Sequence, residues 1–177
     1  MQKFFMKFPS LDEIDQIRKT GYRPQIVGCF LNNKKILFLY DKKYNLWQLP
    51  QGGIKNHESI EDAVKREMTE ELGERFATSM KIGSIIEQAQ LEFPGKIKNS
   101  RHLKSDAGEK IFMQGKKYFF VAIKTDSAEI NINETEFDDF KWLEFKEALE
   151  LAKTIYQKGK QKITTDALES LRNSDLL

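Results

Sequence analysis

Cysteine is almost missing from this chain. Cys29 is the only one, which excludes an internal disulfide framework. It lies in the apolar run Ile26, Val27, Gly28, Cys29, Phe30, Leu31 and reads as a small buried hydrophobe, not as a reactive thiol. Long hydrophobic runs are missing as well. No stretch approaches the ~18 apolar residues of a membrane span, and Lys3 and Lys7 interrupt the opening MQKFFMKFPS where a secretory signal needs an apolar centre. The expectation is a cytoplasmic protein with no membrane segment. No repeat or low-complexity tract is visible, and neither sign of charge dominates: 29 basic residues against 27 acidic leave a net charge of +2. What is present is globular. A chain of 177 residues, 40% hydrophobic and 11% aromatic, can bury the core of a single domain without disulfides or a structural metal.

Positive charge gathers in one place. Between residues 96 and 117, Lys96, Lys98, Arg101, Lys104, Lys110, Lys116 and Lys117 stand against only Asp106 and Glu109. Such a segment is either a solvated surface loop or a face toward phosphate, and its composition leaves both open.

Periodicity and punctuation outline the elements. Ser10 with Glu13 forms a capping-box pattern, Leu11, Ile14 and Ile17 recur every three residues, and Gly21 follows, which predicts a short helix over 10–20. Strands over 25–31 and 35–40 are joined through Asn32 and Asn33 as a hairpin. A short extended piece over 46–50 runs into Gly52 and Gly53. Ser59 with Asp62 then opens a helix from about 60 to 72 that Gly73 closes. One or two strands follow over 81–93, further strands over 117–124 and 140–145, and helices over 146–158 and from about 165. Strands and helices neither alternate regularly nor segregate, so the pattern predicts a layered α/β domain with a mixed sheet. Residues 1–20 form an added N-terminal helical extension and residues 21–177 the domain proper.

In the 60–72 helix, Glu67, Glu70 and Glu71 fall at i, i+3 and i+4, which puts three carboxylates on one face. Their mutual repulsion costs only about 0.2 to 0.5 kcal/mol per pair on an exposed helix, so spacing alone fits a solvated face as well as a metal site. Two neighbouring features favour the metal. Ile60, Val64, Met68 and Leu72 form an apolar stripe beside the carboxylates, so the docked helix holds them at the rim of a core. The Gly52 and Gly53 pair lets backbone approach the same ion or a phosphate, and hard oxygen ligands suit magnesium or manganese.

Read as a unit, GGIKNHESIEDAVKREMTEELGE from Gly52 to Glu74 resembles the Nudix box: glycine, five residues, glutamate, seven residues, Arg-Glu, an aliphatic residue, any residue, Glu-Glu, any residue, glycine and an aliphatic residue. Gly52, Glu58, Arg66, Glu67, Met68, Glu70, Glu71 and Gly73 fall in register; Glu74 departs, standing where an aliphatic residue is usual, and His57 replaces the glycine common before the box glutamate. The resemblance implies a Nudix fold, a mixed β-sheet sandwiched between helices, and an enzyme that uses Mg2+ or Mn2+ to cleave a diphosphate linkage. It makes Glu67, Glu70 and Glu71 metal ligands together with Gly52, with Arg66 and Glu58 as an orienting pair. One of the glutamates takes the proton of the attacking water.

Outside the box, Tyr22-Arg23-Pro24, the run Trp47 to Gly53 and the stretch ININETEFDDFKWL are similar to the bacterial RNA pyrophosphohydrolase and dinucleoside polyphosphate hydrolase branch of that family. This likeness implies Glu136 as a further catalytic, metal-proximal carboxylate, and Arg23, Gln51, Gly53, Lys116 and Lys117 as substrate-binding residues. It implies removal of pyrophosphate from 5′-triphosphorylated RNA, with a nucleotide or RNA 5′ end as partner. Diadenosine tetraphosphate hydrolysis, a house-cleaning nucleoside triphosphate pyrophosphatase and a non-catalytic nucleotide-binding module are the alternatives. The branch's late-helix Phe-Lys-Arg with a following tyrosine is not kept; Leu151 to Tyr156 stand there instead.

Overall fold

The computed structural model describes residues 6–177. The elements run α1 (Leu11–Lys19), β1 (Tyr22–Asn32), β2 (Lys35–Asp41), β3 (Leu46–Gln48), β4 (Gln51–Gly53), α2 (Ile60–Leu72), α3 (Glu74–Ala77), β5 (Met80–Glu92), β6 (His102–Lys104), β7 (Lys110–Phe112), β8 (Gly115–Thr125), β9 (Asp139–Leu143), α4 (Phe145–Lys153) and α5 (Lys158–Asn173). One sheet runs β3-β2-β1-β8-β5, with β4 also on β1 and β9 on β2. It is mixed: β1 and β8 pair in parallel from Tyr22↔Gly115 to Leu31↔Lys124, while the other pairings are antiparallel.

Helices cover both faces of this sheet, which is why β1 and β8 read as nearly continuous apolar runs. Ile26 and Phe30 of β1 and Phe119, Val121 and Ile123 of β8 meet Ile60, Val64, Met68 and Leu72 of α2 on one face. Val27, Cys29 and Leu31 with Tyr118 and Phe120 meet Ala148, Ala152, Ile163, Ala167, Leu168 and Leu171 of α4 and α5 on the other. The sheet sandwiched between helices agrees with the expected fold. Burial pushes the Cys29 thiol up to about 12, consistent with an inert core side chain. Ser10 caps α1 by accepting the Glu13 N–H at 3.2 Å, and Ile14 of α1 is fully buried in the α2-side core. Among the described residues no helix is long and apolar enough to cross a membrane.

Several boundaries differ from the sequence reading. The hairpin turn is Asn33-Lys34, with φ of 47° and 64°, because Asn32 still pairs with Lys35; two adjacent left-handed residues match the twist of the strands. The basic segment is not an open loop but contains the β6–β7 hairpin, whose three-residue strands are too short to show a period. Helix α4 ends at Lys153 and α5 begins at Lys158. Gly159 in the Lys-Gly-Lys opening of α5 reads as a breaker in sequence, yet burial of Ile163, Ala167, Leu168 and Leu171 holds the helix against the sheet.

Candidate active site

Local chemistry builds α2 as expected. Ser59 accepts the Asp62 N–H at 3.1 Å to open it, and Gly73, at φ 89°, closes it by donating to the Thr69 carbonyl. Its apolar stripe is buried, so the carboxylates emerge at the rim. The side chain of Glu67 is 16% exposed and that of Glu70 52%.

The strand β4 brings Gly52 against Glu67. A Cβ at position 52 would lie 2.0 Å from the Glu67 Cδ and 2.1 Å from its Oε2, so only glycine leaves room for the carboxylate. A Cβ on Gly53 would meet the Arg23 guanidinium at 2.9 Å, which places Arg23 across the neighbouring backbone. Gln51, first in β4, donates its N–H to the Glu71 Oε2 at 3.1 Å.

Arg66 is the hub behind the carboxylates. It donates to both oxygens of Glu58 at 2.7 and 2.9 Å, to Glu67 at 2.6 Å, to Glu70 at 3.5 Å and to the Gly53 carbonyl at 2.8 Å. Its hydrogen bonds to Glu58 first, then partial desolvation working the other way, then the bond to Glu67 and that residue's charge, leave the guanidinium held more firmly protonated than usual. One cation thereby ties the loop after β4 to the acidic helix.

Glu71 carries the strongest electrostatic signal. Burial, and the like charges of Glu67 and Glu136, raise its carboxyl well above the usual range, while the Gln51 N–H and the Lys160 charge work the other way. Glu136 reaches this corner because its N–H donates to the Glu71 carbonyl at 3.2 Å. Among the described residues no three acidic, histidine or cysteine side chains are gathered tightly enough to hold an ion as they stand, and Arg66 engages one oxygen each of Glu67 and Glu70. The donor chemistry nonetheless fits a hard divalent cation: oxygen ligands only, negative charges crowding one corner, and a glycine cradle that a Cβ would fill.

Two clefts flank the glutamates. The larger, of about 530 Å³, is lined by Gln25, Gln48, Gln51 and Glu71, by Leu91, Phe93, Ile97 and Tyr118, and by Lys116 and Lys160. Its two lysines sit in different fields, Lys116 among other cations and Lys160 near carboxylates. Burial, then the charges of Arg23, Lys160 and Arg101, lowers the pKa of Lys116. Burial lowers that of Lys160 against the pull of Glu71 and Asp41. The second cleft, of about 360 Å³, is lined by Arg23, Gly53, Lys55, Asn56, Glu67, His102 and Lys104, with Ile54, Leu103 and Met113.

The structure thus brings Gly52, Gly53, Gln51, Glu67, Glu71, Glu136 and Arg66 together, with Arg23 and Lys116 close by. Lys117 is set apart. Strand alternation separates it from Lys116 and Tyr118, and it lines neither cleft. Sequence reasoning missed Lys160, Phe93, Gln25 and Gln48. Gln48 carried a usable signal, since it interrupts the apolar run Leu46-Trp47-Gln48-Leu49, whereas Gln25 stands at the start of its apolar run; both are buried. Lys160 carried none, because it reaches Gln48, to whose Oε1 it donates at 2.6 Å, across a separation of 112 residues.

A glycine-cradled acidic helix, set on a mixed sheet between two helical layers, is the architecture of an enzyme that handles phosphate anhydrides. The NUDIX domain model matches residues 22–166, and the chain belongs to the Nudix hydrolase family. Its activity is that of a pyrophosphohydrolase of acid anhydrides, and such enzymes generally depend on a divalent metal. The RNA pyrophosphohydrolase of Pasteurella multocida (strain Pm70) is 32% identical over 148 residues, covering 78% of this chain and 72% of that one. That of Mannheimia succiniciproducens is 30% identical over 148 residues with the same coverage of each. Among solved structures, the E. coli dihydroneopterin triphosphate pyrophosphohydrolase superposes with a TM-score of 0.58 at 17% identity, covering 84% of this chain and 94% of that one; this likeness speaks to the fold.

Proposed function

We propose that this enzyme removes pyrophosphate from the 5′ end of triphosphorylated RNA, using Mg2+ or Mn2+. The observation that carries the reading is an acidic rim flanked by cation-lined clefts, the larger with the apolar surface of Phe93, Tyr118 and Ile97 to receive a base. Relatives named RNA pyrophosphohydrolase support the choice of RNA. Glu67, Glu70, Glu71, Glu136 and the Gly52 carbonyl would hold the metal. Bound there, a divalent ion acidifies water and neutralises phosphate charge. Arg66 positions Glu67 and Glu70 and keeps the Gly53 carbonyl in place. Arg23 and Lys116 attract the phosphates, Gln51 and Gly53 offer backbone at close range, and Lys117 contributes only long-range charge.

The reaction consumes one water. Its oxygen bonds to phosphorus, one P–O–P bridge breaks, the RNA keeps a 5′-monophosphate and pyrophosphate leaves; the proton passes to a carboxylate of the Glu67, Glu70, Glu71 and Glu136 group. Residues 1–20, of which 1–5 lie outside the described residues, are read as an N-terminal helical extension whose helix α1 packs through Ile14 on a catalytic domain of residues 21–177, and the enzyme acts in the cytoplasm.

Glu71→Gln is expected to abolish turnover while the far-ultraviolet circular dichroism stays native; an unchanged rate would sink the reading. Pyrophosphate release from triphosphorylated RNA is to be compared with ATP formation from diadenosine tetraphosphate and with hydrolysis of free nucleoside triphosphates. Faster turnover of either competitor overturns the assignment to RNA.

A further inference from the structure

The basic segment contains an acid whose bonds are unexplained by the active site. Asp106, at the β6–β7 turn, accepts from Arg18 at 3.2 Å, from the Asn56 side chain at 2.8 Å and from the His57 N–H at 3.2 Å. Its own N–H donates to Asp15 of α1 at 2.7 Å. Arg18 is only 3% exposed and donates onward to the Ile54 and Lys55 carbonyls at 3.1 and 2.7 Å. Asn56 also bonds the Lys104 carbonyl at 3.0 Å. A nearly buried cation with its partners satisfied makes a rigid joint. Helix α1, the hairpin and the loop between Gly53 and α2 are therefore fastened to one another.

The joint fixes the walls of the smaller cleft. Lys55 of the loop after β4, His102 and Lys104 of β6, Arg23 of β1 and Glu67 of α2 all line it. Among the described residues, Arg23, Lys55 and Lys104 form no ion pair with a carboxylate. Three cations stand in the cleft against the one carboxylate of Glu67, itself held by Arg66, and that excess of positive charge attracts an anion. The contrast with the larger cleft assigns the two ends of a substrate. Phe93, Tyr118 and Ile97 give that cleft surface for a base, whereas no phenylalanine, tyrosine or tryptophan lines the smaller one and its only ring is the His102 imidazole.

We propose that the smaller cleft is a pyrophosphate site. Lys55 and Lys104, with His102 beside them, hold the outgoing phosphates, and the substrate runs from the larger cleft past Glu71 and Glu67 into this one. This rests on the pyrophosphohydrolase reading above and adds the direction in which the substrate lies.

The test is isothermal titration of the full chain with inorganic pyrophosphate and, separately, adenosine monophosphate, at constant Mg2+. Lys104→Ala and Lys55→Ala are each expected to weaken pyrophosphate binding about tenfold, the scale of a charged hydrogen bond, with adenosine monophosphate unchanged. Lys116→Ala is expected to do the reverse. Both cleft lysines are exposed, and a native melting curve guards against misfolding; Lys104→Gln keeps the length of the stem without the charge and is expected to match Lys104→Ala. The proposal is overturned if pyrophosphate affinity is unchanged in the Lys55→Ala, Lys104→Ala double variant, or if both ligands weaken equally. If triphosphorylated RNA is not turned over while pyrophosphate binding still depends on Lys104, the function reading falls and the site stands.

Discussion

Gly52→Ala tests the site at its tightest point. The added methyl would lie 2.0 Å from Cδ, 2.1 Å from Oε2 and 2.6 Å from Cγ of Glu67. Non-bonded carbons settle at about 3.5 to 4.0 Å, so the carboxylate must retreat by roughly 1.5 Å. That retreat breaks its 2.6 Å bond from Arg66 and takes it off the metal corner. Misplacing a reacting group by about 1 Å costs on the order of 10²-fold in rate, equivalent to about 2.7 kcal/mol of transition-state stabilisation. The backbone itself tolerates alanine, because Gly52 has no positive φ. Folding stability should therefore move by no more than about 1 kcal/mol. Steady-state pyrophosphate release gives kcat, and urea unfolding gives stability. Adding Glu67→Gln to Gly52→Ala should cost little more, since both disable one carboxylate. A kcat within about twofold of the parent, or a loss that tracks unfolding, refutes the cradle.

Three further outcomes are expected. Lys160→Met removes a cation that bonds Gln48 and faces Glu71, so KM for RNA should rise about tenfold with kcat little changed; a fall in kcat at constant KM would count against it. His57 sits at φ 59° where the family carries glycine, so His57→Gly should stabilise the fold by up to about 1 kcal/mol; a loss of that size in urea unfolding would contradict the strain. Partial burial would raise the Asp106 pKa, but bonds from Asn56 and His57 and the Arg18 charge outweigh it and leave the group below its usual range. Folding thus releases a proton from Asp106, so its contribution is present above about pH 4 and fades as pH falls below that. Asp106→Asn should lose about 1 to 3 kcal/mol at neutral pH, with the gap to the parent closing in acid; a gap independent of pH would contradict this.

The sequence by itself determined the parts whose causes are local. The caps at Ser10 and Ser59, the carboxylates a turn apart on α2, the apolar stripe beside them and the glycine pair before them all depend on neighbours within a few residues, where spacing fixes geometry. The β6–β7 hairpin and the start of α5 were hidden, one by three-residue strands and the other by Gly159, and only packing decided them. Tertiary structure alone decided what faces the glutamate helix. The parallel register of β1 on β8 sets Arg23 opposite Lys116, α5 delivers Lys160 to Gln48, and the Glu136 N–H finds the Glu71 carbonyl. Asp106 looked like a stray acid in a basic run and proved to join α1 to the loop before α2. These contacts join residues far apart in the chain, and their energy exists only once the sheet has closed, so no local pattern could carry them.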